Sequence, residues 1–117
     1  MTSKIYFTNL TKERIRTSEF LRIYKKLLPR WELSVVFAGP ALMRKLNKKY
    51  RKKDKVANVL SFLLYKKSGE IFLNTYEKKL LYLFTHACLH LLGYDHKTRK
   101  NTDKMEKKEA DMLQNLK

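Results

Sequence analysis

The sequence predicts a single α+β domain: one mixed four-stranded sheet with helices packed on it, in the order β-α-β-α-β-β-α-α. Three observations predict it. Apolar residues alternate or run short near residues 4–7, 31–37, 56–65 and 70–73, the pattern of strands. Between and after these stretches they recur every three or four positions, the period of an amphipathic helix. A chain of 117 residues, 44% of them hydrophobic, is large enough for one core and too small for two.

The elements follow in order. Lys4-Ile5-Tyr6-Phe7 is short and β-rich, a first strand. Thr11 is placed to cap a helix from Glu13 to Leu28, in which Phe20, Tyr24, Leu27 and Leu28 form a stripe before Pro29 closes it. Trp31 to Phe37 alternates and then runs apolar, a second strand ended by Gly39-Pro40. In the helix that starts there, Leu42, Met43, Leu46 and Tyr50 keep core spacing, while Arg44, Lys45, Lys48, Lys49, Arg51 and Lys52 occupy the rest. Val56 to Tyr65 is a long third strand, and Lys66-Lys67-Ser68-Gly69 a turn into Glu70-Ile71-Phe72-Leu73, which together make an antiparallel hairpin. A third helix runs from Tyr76 to Leu92. After a basic loop, a closing helix from Thr102 to Leu116 brings Met105, Met112, Leu113 and Leu116 to one side.

Charge and cysteine content narrow the class. Lys and Arg number 27 against 11 Asp and Glu, a formal charge of +16 that favours a polyanionic partner. Residues 44–55 concentrate it, with eight basic side chains and one acid. That helix face reads as a track for a phosphate backbone or as a solvated surface, and it offers no aromatic platform for bases, so binding should be electrostatic and weakly sequence-selective. One cysteine excludes an intramolecular disulfide and fits a reducing compartment. Met1 to Leu10 has no long apolar run or cleavage-site pattern, and the apolar stretch 80–92 is too short for a bilayer, so a soluble cytoplasmic protein is expected.

All three histidines lie within His86-Ala87-Cys88-Leu89-His90-Leu91-Leu92-Gly93-Tyr94-Asp95-His96. Residues four apart on a helix differ by about 40° in direction, so His86 and His90 project together, one turn apart, as a chelating pair would. Gly93 is suited to a left-handed backbone that ends the helix and returns His96 to the same face as a third ligand. Three imidazoles leave one position of tetrahedral zinc open, as in catalytic sites. The offsets of +4, +7 and +10 also match the metzincin pattern H-E-x-x-H-x-x-G-x-x-H, except that Ala87 stands where the glutamate base would be. Cys88, about 200° around the helix from each of the paired histidines, should pack in the core. Ordinary helix and loop histidines satisfied by hydrogen bonds are the bland alternative.

The stretch HACLHLLGYDH resembles the signature of the YbeY family of bacterial endoribonucleases. A second block is similar too: Leu46-Asn47-Lys48-Lys49-Tyr50-Arg51, then Asp54, then Asn58-Val59-Leu60-Ser61-Phe62, with Gly69-Glu70-Ile71 a weaker link. Departures are Ala87 where the family usually has Gly, Ala57 where it has Thr, and Lys97, Thr98, Arg99 and Lys100 where acidic residues often follow the last histidine. The segment before the histidine helix also looks shorter than usual. The resemblance implies a YbeY-like fold and a zinc-dependent, single-strand-preferring endoribonuclease acting in 16S ribosomal RNA 3′-end maturation and ribosome quality control. One zinc per chain on His86, His90 and His96 is expected. As partners it implies ribosomal RNA, ribosomal subunits, ribosomal proteins and a ribosome-associated GTPase.

Within that reading Arg51 and His86 are the catalytic candidates, because a guanidinium grips phosphate with paired hydrogen bonds and stabilises developing charge. Arg44, Lys45, Lys48, Lys49, Arg51 and Lys52 would bind RNA. Asp95 would orient a histidine from behind or simply serve the turn, and Glu70 would support the metal or act as base. A non-catalytic zinc-containing RNA- or ribosome-binding module and a minimal metallopeptidase are the other function classes.

Overall fold

The computed structural model describes residues 4–93, together with Lys107. Lys4–Asn9 forms β1, Ser18–Leu27 α1, Glu32–Ala38 β2, Pro40–Arg51 α2, Val59–Tyr65 β3, Ser68–Asn74 β4 and Leu80–Leu91 α3. The element order over these residues is the expected one; the closing helix over 102–116 lies outside the described residues. No helix among them is long and apolar enough to cross a membrane.

The strands form one sheet in the order β1-β2-β4-β3. β1 and β2 run parallel, as do β2 and β4, while β3 pairs antiparallel with β4 and takes the edge. Strand pleating sends alternate side chains to opposite faces, and the sequence uses both. Leu33, Val35, Phe37, Ile71 and Leu73 face α1 and α3 in the main core, whereas Ala38, Leu60, Phe62 and Phe72 face α2. Phe20 of α1 meets Phe37 of β2 edge-on at 5.4 Å and Phe84 of α3 at 5.2 Å, so one aromatic ring links both helices and the sheet.

Several boundaries differ from expectation for identifiable reasons. α1 starts at Ser18, not Glu13, because Thr11 is used in a local knot and does not cap the helix. Its hydroxyl donates to Asn9 Oδ1 at 2.7 Å and accepts from the Glu13 N–H at 3.1 Å, while Asn9 Nδ2 donates to the Glu13 carbonyl at 2.7 Å. Such side-chain bonds compete with helical ones. Trp31 lies outside β2 but stays buried, and its carbonyl accepts the Tyr24 hydroxyl. The β3–β4 turn is only Lys66-Lys67, with neither residue at positive φ. A two-residue turn of that kind does not match strand twist, and the irregularity between Leu63 and Tyr65 takes up the mismatch. α3 begins at Leu80, not Tyr76, because buried Asn74 holds the preceding turn: its Oδ1 accepts the Tyr76 N–H and its carbonyl the Glu77 N–H, both at 3.0 Å.

At Gly69 a side chain of α3 comes close against the sheet. A Cβ there would lie 2.9 Å from Leu91 Cδ1 and 3.3 Å from the Phe62 carbonyl oxygen. Gly69→Ala should therefore cost about 1 kcal/mol by overpacking, and most of that cost should vanish in a Leu91→Ala background, where the space is open. Urea denaturation of the wild type, both single variants and the double variant measures this. Additive single effects would show that the two residues do not press on each other.

Candidate functional site

α3 buries Phe84, Thr85, Ala87, Cys88 and Leu89, which leaves Tyr82, His86 and His90 on one partly exposed stripe. The two imidazoles meet there. His86 Nε2 and His90 Nε2 are 2.9 Å apart, with ring centroids at 4.5 Å and planes at 71°. Two tetrahedral ligands at zinc–nitrogen distances of about 2.0–2.1 Å would sit about 3.3 Å apart, so a slight opening of the pair suits it to one metal ion. Gly93, at φ +100°, ends the helix directly after the pair, and its N–H donates to the His90 carbonyl at 3.0 Å. His96 and Asp95 lie outside the described residues, and among those residues no group of three His, Cys, Asp or Glu could hold a metal.

Cys88 belongs to the core, as its position on the helix requires. Complete burial pushes its thiol far above the usual range, so it is inert and turned away from the histidines. Ala87 is likewise buried at 1% exposure, which leaves no place for a solvent-facing base directly after His86.

The cationic helix α2 lies on the opposite face of the sheet, held by Met43, Leu42, Leu46 and the buried Asn47. Tyr50, expected in the core, is 56% exposed. α2 covers β3 and β4 only as far as Phe62 and Phe72, so the Tyr50 ring rests edge-on against Phe62 at 5.3 Å with the Lys49 ammonium 5.3 Å from its centre. The expectation of a basic helix without an exposed aromatic ring is corrected accordingly. Asn47 pins the loop that follows: its Nδ2 donates to the Lys55 carbonyl at 3.0 Å, and the chain turns at Lys52, φ 59°.

The two arginines of α2 differ in what they do. Arg44 Nε donates to Asp54 Oδ1 at 2.8 Å, and this bond holds the Asp54 carboxyl below its ordinary range. Arg51 makes no ion pair among the described residues and is exposed at the end of the helix. It lines a polar hollow of about 280 Å³ with Lys53, Lys55 and Asn58. Asn58 also lines a second hollow, whose other walls include Tyr82, one turn before His86. Asn58, just before β3, is thus a wall of both hollows, one on the Arg51 side and one beside Tyr82. Lys45, Lys48, Lys49 and Lys52 are also exposed or partly exposed on or beside α2.

Glu70 does not join the histidines. Its neighbours Gly69 and Ile71 face α3, so the pleat turns Glu70 to the other side, where it accepts a 3.4 Å bond from Ser34 Oγ and lines a groove with Tyr50, Phe62 and Phe72. The sheet itself separates it from His86 and His90. Asn47 and Asn74 were missed as the pins of the two loops that border the site. The only signal in the sequence is an amide at a position where its neighbours give no reason for one.

The model of the family described as Endoribonuclease YbeY matches residues 2–74 and 64–117. An Endoribonuclease YbeY of Neorickettsia sennetsu is 38% identical over 104 residues, 73% of this chain and 73% of that protein. One from Mycoplasmopsis synoviae is 33% identical and spans 93% of this chain and 80% of its own length. The solution structure of TM1509 from Thermotoga maritima superposes with a TM-score of 0.67 at 26% identity, covering 97% of this chain and 89% of that one. The two sequence blocks, the mixed sheet and these matches agree: the chain belongs to the YbeY endoribonuclease family.

Proposed function

We propose that this protein is a zinc-dependent endoribonuclease that cuts single-stranded RNA in ribosomal RNA processing, with His86, His90 and His96 as the metal ligands. The observation that carries the reading is the convergence of His86 Nε2 and His90 Nε2 to 2.9 Å on a partly exposed helix face, in a chain of an endoribonuclease family. The same reading extends to 16S 3′-end maturation and ribosome quality control, with ribosomal subunits, ribosomal proteins and a ribosome-associated GTPase as partners. A peptidase reading loses support because Ala87 is buried where its base would stand.

A bound zinc would supply Lewis acidity toward a phosphoryl oxygen and lower the pKa of water. The chain's own residues do the rest. Lys45, Lys48, Lys49 and Lys52 raise the local concentration of phosphate, and Arg44 adds charge while its Nε stays bonded to Asp54. Arg51, free of an ion pair among the described residues, offers a planar pair of donors to the reacting phosphate. The loop pinned by Asn47 fixes the backbone immediately after Arg51, so its donors start from a defined place.

Two outcomes test this. Alanine in place of His86, His90 or His96 should remove both cleavage and the one equivalent of metal that the wild type retains; full occupancy in all three variants would overturn the ligand assignment. Arg51→Ala should keep its metal and lose about a hundredfold in single-turnover cleavage, the usual weight of a fixed donor on transition-state charge at about 3 kcal/mol. Arg51→Lys should not rescue it, since lysine lacks the fork. Lys48→Ala should lose far less, and equal losses in Arg51→Ala and Lys48→Ala would make Arg51 one more backbone contact.

A further inference from the structure

Beside the start of α3 lies a hollow of about 450 Å³ lined by Asn58, Tyr76, Glu77, Lys78, Lys79 and Tyr82. Tyr76 is 77% exposed, the largest exposure among the big hydrophobic side chains of the described residues. It is not on a loose segment. Its N–H is held by Asn74 Oδ1 at 3.0 Å, and the N–H groups of Thr75 and Glu77 are held at 3.0 Å by the carbonyls of Ala38 and Asn74. Tyr82 is 39% exposed, and its ring lies 6.3 Å from that of His86 at a tilt of 31°. The turn therefore presents the Tyr76 ring to solvent from a fixed backbone four residues before α3 begins, and Tyr82, on α3, lies one turn before His86.

We propose that this hollow is a subsite for a nucleotide of single-stranded RNA: Tyr76 stacks an unpaired base, Lys78 and Lys79 meet the adjoining phosphates, and Tyr82 continues the aromatic path toward His86. The proposal deepens the endoribonuclease reading and rests on it. Bases in a duplex are already stacked on their neighbours and present no free face, whereas an unpaired base gains by lying on an aromatic ring. Two lysines against the single carboxylate of Glu77 leave the lining net cationic, as a phosphate-bearing occupant needs. Asn58 lines both this hollow and the one that Arg51 lines, so a strand seated on Tyr76 and Tyr82 would pass beside a residue that also borders the Arg51 side. The subsite gives the preference for single strands a physical origin that the charge of α2, equally attractive to duplexes, does not supply.

The test uses the full chain and a short single-stranded oligoribonucleotide carrying 2-aminopurine, whose fluorescence falls when the base stacks. Wild-type protein should quench it and should cleave the single strand in preference to its duplex. Tyr76→Ala should abolish the quench and weaken single-strand affinity by roughly tenfold to a hundredfold, with the loss appearing in KM and the preference over duplex narrowed. Tyr76→Phe should behave as wild type, because the ring and not the hydroxyl does the stacking. Tyr65→Ala, which removes a tyrosine 69% exposed at the far end of β3, should change nothing. An unaltered quench and KM in Tyr76→Ala would overturn the subsite, as would equal losses in Tyr76→Phe and Tyr76→Ala. The quench does not depend on cleavage: a protein that stacks the base but cuts nothing would keep the subsite and sink the nuclease reading, and one that cuts without a Tyr76-dependent quench would do the reverse.

Discussion

Burial of α3 against the sheet sets the rotation of that helix, and the candidate site depends on that rotation. Phe84, Ala87, Cys88 and Leu91 recur at the spacing of one helical face and press on the sheet and α1, with Leu91 seated over Gly69. With 3.6 residues to a turn, a helix anchored on those positions must present 82, 86 and 90 elsewhere. The 2.9 Å convergence of His86 and His90 comes from the helical repeat itself, and the packing decides that it occurs on a partly exposed face. A bulkier residue at 69 or a smaller one at 84 would therefore act on the histidine pair from a distance, through the orientation of the helix.

The sheet also acts as a partition. The histidine helix lies on one face and the cationic helix on the other, and Asn58, where the loop after α2 enters β3, lines one hollow beside Tyr82 and one beside Arg51. That loop has little apolar content of its own. It is held by one buried amide, Asn47, while the facing turn before α3 is held by another, Asn74, whose N–H also bonds the Asn58 carbonyl at 3.0 Å. Each of these buried side chains bonds a backbone group of its loop, and removing it leaves that partner unpaired as well.

Much of this was legible in the sequence, and the failures have physical reasons. The element order came from hydrophobic period, the histidine pair from helical geometry, and the core position of Cys88 from its rotation about the same axis. Tyr50 was misplaced because helical spacing says which residues share a face but not how far the sheet beneath extends. The resemblance offers Glu70 as a support for the metal or a base, although its alternation with Gly69 and Ile71 puts it on the other face of the sheet from His86 and His90. Thr11 was read as a cap when Asn9 two residues earlier offered it a local partner. Tyr76 gave no signal as a platform, because its exposure comes from a turn held by tertiary hydrogen bonds and not from any local pattern.

The central claim, that a metal sits on the imidazole pair and feeds the chemistry of the cleft, is tested most directly by X-ray absorption at the zinc edge of the loaded full-length protein. The expected result is a shell of imidazole nitrogens at about 2.0–2.1 Å, with their ring scattering and no sulfur at about 2.3 Å. A sulfur neighbour would mean that Cys88 leaves the core to bind. Zinc that gives no imidazole ring scattering would contradict the placement of the metal on His86 and His90.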